Sequence, residues 1–167
     1  AFTDISGNGA LSGASNTSNN YAIDSKAPTA TIQLANEALK AGQSTTLTIT
    51  FSEKVADFSN ADVTVANGSL GTLSSADEGK TWTGSFTPAT NMEDASNVIT
   101  LANTYTDLAG NTGSDGTSGN YTIDTQAPSA TVTLKDGQGA DITSLTAGQS
   151  ANVTITFNEA VKDFSNA

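Results

Sequence analysis

Apolar and polar residues alternate along several short stretches of this chain. Residues 45–51, TTLTITF, place three apolar side chains on one face and threonine on the other. A period of two residues is typical of a strand with one buried face, and β-branched threonine suits the solvated face. Residues 81–86, TWTGSF, alternate in the same way. The pattern predicts β-strands, and no stretch keeps a helical period beyond about two turns.

Five further apolar stretches extend this pattern, and residues typical of turns separate them. The stretches are residues 31–34, 62–65, 70–73, 98–105 and 120–123. Seven short strands within about 100 residues are typical of an immunoglobulin-like β-sandwich. We therefore predict an all-β fold with seven strands in each sandwich. Residues 35–41 are a candidate for a single helical turn.

The alternation also predicts which side chains fill the core. Trp82 shares its face with Phe86, so it is predicted to pack inside rather than to serve as a platform for a sugar. Tyr105 resembles the tyrosine corner of such sandwiches, which is a structural role. The predicted core consists of Ile32, Leu34, Leu47, Ile49, Phe51, Val63, Val65, Trp82, Phe86, Ile99, Leu101 and Ile123.

Three phrases occur twice in the chain. YAIDSKAPTATIQL at 21–34 returns as YTIDTQAPSATVTL at 121–134, and the other two pairs lie 103 and 106 residues apart. A period of about 100 residues indicates tandem whole domains rather than a solenoid of small units. We predict that residues 1–24 end one repeat, 25–124 form a complete repeat and 125–167 begin a third. The chain is then expected to be a window on a longer array.

Charge and composition narrow the functions of the chain. Six lysines, no arginine and 17 acidic residues give a net charge of −11, which disfavours binding to nucleic acid or to an anionic membrane. Cysteine and histidine are both absent, so disulfides, thiolate chemistry and the common zinc and haem sites are excluded. No apolar stretch is long enough to insert into a membrane. An acidic surface of this kind suits cations.

Five motifs carry a resemblance to one family of domains: (I/V)D(S/T)xAP, TF(S/N)ExV, DFSNA, KTWTGSFTP and TDx(A/S)GN. In this order they resemble the bacterial Ig-like repeats in the extender regions of giant bacterial surface adhesins, of the RTX kind exported by type I secretion. The resemblance covers the whole chain. It implies an extracellular location at the bacterial cell surface, a role in cell adhesion and biofilms, and contact with neighbouring repeats. A host-surface or glycan partner is expected to bind domains outside this stretch.

Acidic residues at one end of the predicted sandwich are candidate metal ligands. Glu53 ends the second predicted strand, Asp107 opens the loop after the sixth, and Asp24 lies in the linker that enters the repeat. Antiparallel strands bring such loops to one pole, so the three carboxylates are expected to converge, and Asn111 and Asp62 can add oxygens. Because Ca²⁺ takes about six to eight oxygen ligands, we predict calcium at this junction.

The next junction repeats part of this set. Asp124 is the equivalent linker acid, Glu159 ends the equivalent strand, and Glu93 and Asp94 are expected to face the same junction. The family resemblance implies the same metal, since related extender arrays are stiffened by calcium between their domains. The opposing interpretation is that these residues are solvated acids and turn formers, because Asp and Asn often open turns by hydrogen bonding to their own backbone.

Three classes of function compete. The leading prediction is a structural spacer, in which calcium makes tandem domains rigid so that they hold a distal adhesive domain away from a bacterial surface. The second is a binding module that grips a carbohydrate or another surface, which requires exposed aromatics or a charged cleft, and the chain has only 10 aromatic residues. The third is an enzyme, which we do not expect, because no nucleophile–base motif is present.

Overall fold

The described part of the chain folds mainly into short β-strands. The computed structural model describes residues 3, 5–9 and 21–165, in which strands are joined by turns and by one short 3₁₀ helix at Asn60–Asp62. The strands are β1 (Ala30–Leu34), β2 (Ala38–Lys40), β3 (Thr45–Phe51), β4 (Val55–Ala56), β5 (Val63–Val65), β6 (Gly68–Leu70), β7 (Ser74–Ser75), β8 (Thr81–Pro88), β9 (Glu93–Asn97), β10 (Ile99–Leu101), β11 (Thr106–Asp107), β12 (Gly116–Thr117), β13 (Tyr121–Asp124), β14 (Ala130–Lys135) and β15 (Asn152–Phe157). The predicted all-β, immunoglobulin-like fold is confirmed. No helix in this part of the chain is long and apolar enough to span a membrane.

One layer of the sandwich is an antiparallel five-stranded sheet. Its order is β1–β3–β8–β6, and β7 also pairs with β8. The pairing of β3 with β8 places Ile49 opposite Trp82 on the inner face and Thr48 opposite Thr83 on the outer face. Ile49 is completely buried, so the alternation predicted for this strand is confirmed.

The second layer contains two three-stranded sheets. β10 lies between β5 and β12, while β13 lies between β9 and β2. Only Val98 separates β9 from β10, so the two sheets are joined through nearly continuous chain. β13 pairs antiparallel with β9 but parallel with β2. A strand near the start of the repeat and the strand at its end are therefore neighbours.

The core lies between the two layers and contains most of the predicted side chains. Three of the predicted core residues are only partly buried. They pack against the edge of the core rather than inside it, which corrects the prediction for Val63, Val65 and Trp82. Trp82 stays near the surface because its indole N–H donates to the Gly79 carbonyl at 3.2 Å. The buried residues that the alternation did not predict are Leu39, Val55, Phe58, Leu73, Tyr105 and Tyr121.

Two expectations about local structure are wrong. The helical turn expected within 35–41 is absent, because Ala38–Lys40 forms strand β2 and its pairing with β13 overrides local preference. Tyr105 is completely buried, as a structural residue should be. Its hydroxyl, however, donates to the Ser114 carbonyl downstream at 2.7 Å, whereas a tyrosine corner bonds to backbone upstream.

The chain after residue 125 forms an antiparallel hairpin of β14 and β15. Its apolar side chains are open to solvent: Val132 and Val153 are each 60% exposed. The equivalent residues of the preceding sandwich, Ile32 and Leu47, are buried. Residues 21–24, which correspond to β13 in the repeated phrase, form no strand, and residues 1, 2, 4 and 10–20 lie outside the described residues. The division of the chain into three repeats stays a prediction.

Candidate metal centre

Short strands position the three predicted acids at one pole of the sandwich. β3 ends at Phe51, and Glu53 follows two residues later. β4 pairs with β11, which places Asp107 opposite Val55 and so brings the loop after β10 beside the loop after β3. Asp24 reaches the same pole from the chain that leads into β1. Three segments that are distant in the sequence therefore meet here.

The carboxylates of Asp24, Glu53 and Asp107 lie close enough to share one ion. Each offers an oxygen, and these oxygens lie within 4.8 Å of one another. Asp107 is only 2% exposed, whereas Glu53 is half-buried and Asp24 is exposed. Two oxygens on the same Ca²⁺ lie at most about 5 Å apart, because each Ca–O distance is about 2.3–2.6 Å. The spacing thus fits the predicted metal.

Backbone and amide groups hold the Asp107 carboxylate in place. Its Oδ1 accepts hydrogen bonds from the backbone N–H groups of Ala109 and Asn111, both at 2.8 Å. Its Oδ2 accepts one from Asn111 Nδ2 at 2.7 Å. The Asn111 side chain is the main cause that lowers the pKa of Asp107, and the backbone N–H groups add to it. The carboxylate is therefore ionised at neutral pH and fixed in orientation.

Asn111 also ties the entering linker to this loop. Its Nδ2 donates to the backbone carbonyl of Asp24 at 3.2 Å. The Asp24 side chain in turn accepts from the backbone N–H of Lys26 at 3.0 Å, which forms a local turn in the linker. Asn111 thus positions both neighbouring acids through its amide nitrogen. Its amide oxygen stays a predicted ligand.

A lysine beside this cluster is engaged elsewhere. Lys54 lines the same surface cleft as Asp24 and Glu53, but its ammonium group pairs with Glu78. The ion pairs within the described residues are Lys54–Glu78 and Lys135–Asp141. None of the three clustered acids has a lysine partner there. Their mutual repulsion favours a cation, and a donor set made only of oxygens favours a hard one.

Asp62, which the sequence offered as a further oxygen donor, has a structural role. Its carboxylate accepts hydrogen bonds from the backbone N–H of Ser59 at 2.7 Å and from the Thr104 hydroxyl. The Ser59 side chain bonds back to the first turn of the 3₁₀ helix, so the two residues form a capping box. These bonds occupy a carboxylate that is only 7% exposed.

The second predicted junction is less complete. Asp124 and Glu159 line one cleft, and Oε1 of Glu159 is buried without a hydrogen-bond partner. Glu93 lies opposite Asp124 in the pairing of β9 with β13, as the prediction for this junction requires. Asp94 lies opposite Ile123, and its carboxylate accepts hydrogen bonds from Asn67 Nδ2 and from the Ser96 backbone N–H.

Two features of this second junction were missed from the sequence. Lys40 and Lys162 line the cleft together with the two acids. Thr125, directly after Asp124, is 8% exposed and bonds to the loop between β8 and β9: its N–H donates to the Met92 carbonyl and its hydroxyl donates to the Ala89 carbonyl, both at 2.7 Å. A hydroxyl residue follows the linker acid in both copies of the motif, as Ser25 and Thr125, and that repetition was the available signal.

The described residues define a class of protein: an all-β sandwich with three acidic side chains clustered at the pole where the chain enters it. Residues 24–123 and 124–167 match the family model for the bacterial Ig-like domain, and the chain belongs to that family. No curated protein and no solved structure matches it significantly. Domains of this family commonly occur in extracellular surface proteins and are typically non-catalytic. The predicted family is confirmed, whereas the adhesin context stays a prediction.

Proposed function

We propose that this chain is part of the structural spacer of a bacterial surface adhesin, in which tandem Ig-like domains project a distal binding domain from the cell. The observation that carries the proposal is the meeting of Asp24, Glu53 and Asp107 where the linker enters the sandwich. Because these acids lie where the chain enters the sandwich, they would lie between neighbouring domains of a tandem array. The resemblance to extender regions adds the context of type I secretion, biofilms and the extracellular face of a bacterium.

We propose calcium as the ion of this junction. Asp24, Glu53, Asp107 and Asn111 would hold it, and Asp124 with Glu159 would supply part of the next site. A bound calcium supplies positive charge that offsets the clustered carboxylates. The buried, unpartnered oxygen of Glu159 fits this role, because a buried carboxylate without a partner is unfavourable. The linker acid and the loop acids would then be held together, which limits bending between domains.

The linker supports a stiff junction independently of the metal. Thr125 is bonded to the preceding sandwich, and Ser129 is bonded to the next strand pair through the Asn158 side chain at 2.6 Å. Only residues 126–128 lie between these anchors, and Pro128 is one of them. Three residues span at most about 10 Å, so successive domains stay close.

The exposed aromatic residues do not favour a glycan-binding surface. Within the described residues, Tyr21 is 73% exposed and Phe164 is 58% exposed. Their equivalents in the complete repeat, Tyr121 and Phe58, are buried in the core. Both exposed rings therefore lie at sequence positions that belong to the core in the complete repeat. They do not form a row on one sheet face. The spacer explains these positions better than a binding module does.

Calcium titration of the 167-residue chain tests the proposal. Isothermal calorimetry in metal-free buffer should detect binding, and calcium should raise the melting temperature above its value in EDTA. At free calcium about 100 times the dissociation constant, the gain in unfolding free energy is about 2.7 kcal/mol. Glu53→Gln should weaken binding at the first junction, because it removes one charged ligand.

Asp115→Asn is the matched control, since it removes one charge from an exposed acid outside the cluster. It should leave calcium affinity close to that of the unaltered chain. Absence of binding heat together with identical melting curves in calcium and EDTA would reject the calcium junction. The spacer would then depend on the short linker alone.

A further inference from the structure

The outer face of the five-stranded sheet is built from side chains that carry hydroxyl groups. β3 and β8 form its centre, where three outward residues on one strand lie opposite three outward hydroxyl residues on the other. Thr46, Thr83 and Ser85 are exposed, and the other three central residues are half-buried. The six central residues are Thr46, Thr48 and Thr50 on β3 and Thr81, Thr83 and Ser85 on β8.

The neighbouring strands continue the same chemistry. The exposed side chains that they add are Thr31 and Gln33 on β1, Ser69 on β6 opposite Thr87 of β8, and Ser74 on β7. We call the outward residues of these five strands the hydroxyl face. All five strands lie in the described part of the chain, and none of their outward residues is charged or is a large apolar residue.

The absence of charge from this face contrasts with the rest of the chain. The chain has 17 acidic residues and 6 lysines, and in the second layer the exposed strand residues include Glu93, Asp124 and Lys40. The preference of threonine for strands applies to both layers, so it does not explain why one layer has a face without charge.

The same chemistry returns in the hairpin of β14 and β15. Thr131 lies opposite Thr156, and Thr133 lies opposite Thr154, which repeats the arrangement of the outward pairs between β1 and β3. Lys135 ends β14 on the same side, and its charge is paired with Asp141. The central part of the hydroxyl face is therefore present in both stretches that match the family model.

The chemistry of the hydroxyl face fits a second copy of this chain. A hydroxyl group both donates and accepts hydrogen bonds, whereas a carboxylate only accepts and an ammonium group only donates. A symmetric contact places the same patch of both copies face to face, so hydroxyl groups can bond to their own copies. With a net charge of −11, two copies repel each other, and this face lets them approach without burying a charge.

The size of the face sets the strength of such a contact. Four strands at about 4.8 Å and about seven residues at about 3.3 Å cover an area of about 400 Å². Two such faces bury about 800 Å², which is below the roughly 1,200 Å² of a stable complex. One repeat is therefore expected to pair weakly. Repeats in tandem would add their contacts, because each one that forms raises the effective concentration of the next.

We propose that the hydroxyl face is a lateral contact surface through which two copies of this chain pair side by side. Such pairing would gather separate arrays into bundles, which goes beyond the role of a spacer. The contact uses a sheet face and leaves the poles of the sandwich free. It therefore requires neither calcium nor the cluster of Asp24, Glu53 and Asp107, and it can be tested separately from them.

Sedimentation equilibrium of the 167-residue chain in EDTA tests the pairing. We expect a reversible monomer–dimer equilibrium at concentrations up to about 1 mM, as is typical of a small interface. Raising the NaCl concentration from about 0.05 M to about 0.5 M should strengthen it, because salt screens the repulsion between two acidic chains. A chain that stays monomeric throughout this range would overturn the proposal.

Thr83→Asp places a negative charge at the centre of the hydroxyl face. In a symmetric dimer the two new charges would face each other, so the dissociation constant should rise at least about tenfold. Thr64→Asp is the matched control, because Thr64 is an exposed threonine on β5 of the second layer and the charge added is the same. Its dissociation constant should stay within about twofold of that of the unaltered chain. Thr83→Asn, which adds no charge, should also still dimerise.

Two other outcomes would reject the hydroxyl face as the contact between copies. Equal dimerisation of Thr83→Asp and Thr64→Asp would assign the contact to a different surface, such as the exposed apolar side of the hairpin of β14 and β15. A chain that stays monomeric but binds dextran, an uncharged glucan, would assign the face to a glycan instead.

Chemical crosslinking locates the contact without adding a charge. The chain has no cysteine, so Thr83→Cys and Thr64→Cys each provide a single thiol. A short bis-maleimide should give at least about threefold more covalent dimer with Thr83→Cys, because pairing through the face raises the effective concentration of the two thiols. Equal yields from the two variants would show that the copies do not meet through the hydroxyl face.

Discussion

Asp77 is an acidic residue of this chain that shapes a turn rather than binding an ion. Its Oδ1 accepts hydrogen bonds from the Thr81 N–H at 2.7 Å and from the Ser75 hydroxyl at 2.9 Å. The Thr81 backbone bond is the largest cause that lowers the pKa of Asp77 to about 2. Glu78 follows with a positive φ of 59° and pairs with Lys54. This turn joins β7 to β8 and keeps Lys54 engaged away from the cluster of Asp24, Glu53 and Asp107.

Because the pKa of Asp77 is lowered, the stability of the fold depends on pH. A carboxyl group whose folded pKa is depressed stabilises the fold above its unfolded value of 3.8, and this contribution is lost as the pH falls through about 2. Asp77→Asn should therefore be less stable than the unaltered chain at neutral pH, and the difference should shrink towards about pH 2. Urea unfolding at several pH values measures it. A difference that stays constant with pH would contradict this prediction, and Asp115→Asn controls for net charge.

The acids of the candidate metal centre illustrate what single residues reveal before the fold is known. The positions of Glu53 and Asp107 at strand ends were enough to predict that they share a pole, because loop positions follow from strand order. The pairing of Lys54 with Glu78 could not be predicted, since it depends on the backbone of a turn 24 residues away. The role of Asp62 was hidden for the same reason, because its partner Thr104 is 42 residues distant.

At the scale of elements, a glycine sets the contact between the loop after β11 and the core. A Cβ added to Gly113 would lie 2.1 Å from Cε2 of Tyr105, a ring that is completely buried. The Gly113 N–H also donates to the Tyr105 carbonyl at 2.9 Å. The tyrosine ring therefore packs directly on the backbone of the loop that follows Asp107 and Asn111.

Gly113→Ala should destabilise the fold by about 1–3 kcal/mol, because the ring and the loop must move apart. Gly116→Ala is the control: its Cβ would meet Cδ1 of Ile32 at 3.5 Å, an ordinary contact, and the change should stay within about 1 kcal/mol. Chemical denaturation compares the two variants. Equal losses of unfolding free energy in the two variants would show that the contact with Tyr105 does not determine what is tolerated at Gly113.

The strands differ in how well the sequence predicts them. β3 has seven residues with unbroken alternation, so its position and buried face followed directly from the pattern. β2 has three residues and a single inward side chain, Leu39, and one apolar position defines no period. β2 exists because β13 lies beside it, and β13 comes from the other end of the repeat. Pairing of this kind is a property of the tertiary structure.

At the scale of the whole molecule, the linker is the feature that sets the shape of an array. Thr125 fixes it to one domain and Ser129 to the next, which leaves residues 126–128 to absorb any bending. A protein with two complete repeats should therefore be extended even in EDTA, and calcium should narrow the remaining range of angles. Without the ion, repulsion among Asp24, Glu53 and Asp107 opposes a fixed angle at the first junction.

Small-angle scattering of such a two-repeat protein, in calcium and in EDTA, measures this effect. We expect a larger maximum dimension and a narrower distribution of conformations in calcium. Glu53→Gln, made at the junction between the two repeats, should give the EDTA result in both buffers. Identical scattering profiles for the unaltered protein in the two buffers would contradict a role of calcium in stiffness.

The neighbouring positions of β2 and β13 also determine when a repeat can fold. Synthesis delivers β2 early and β13 last, so the sandwich cannot close until almost the entire repeat has been made. Closing a contact between the two ends of a repeat is entropically costly and slow. The complete sandwich is therefore expected to fold as one unit, and only after its final strand has been synthesised.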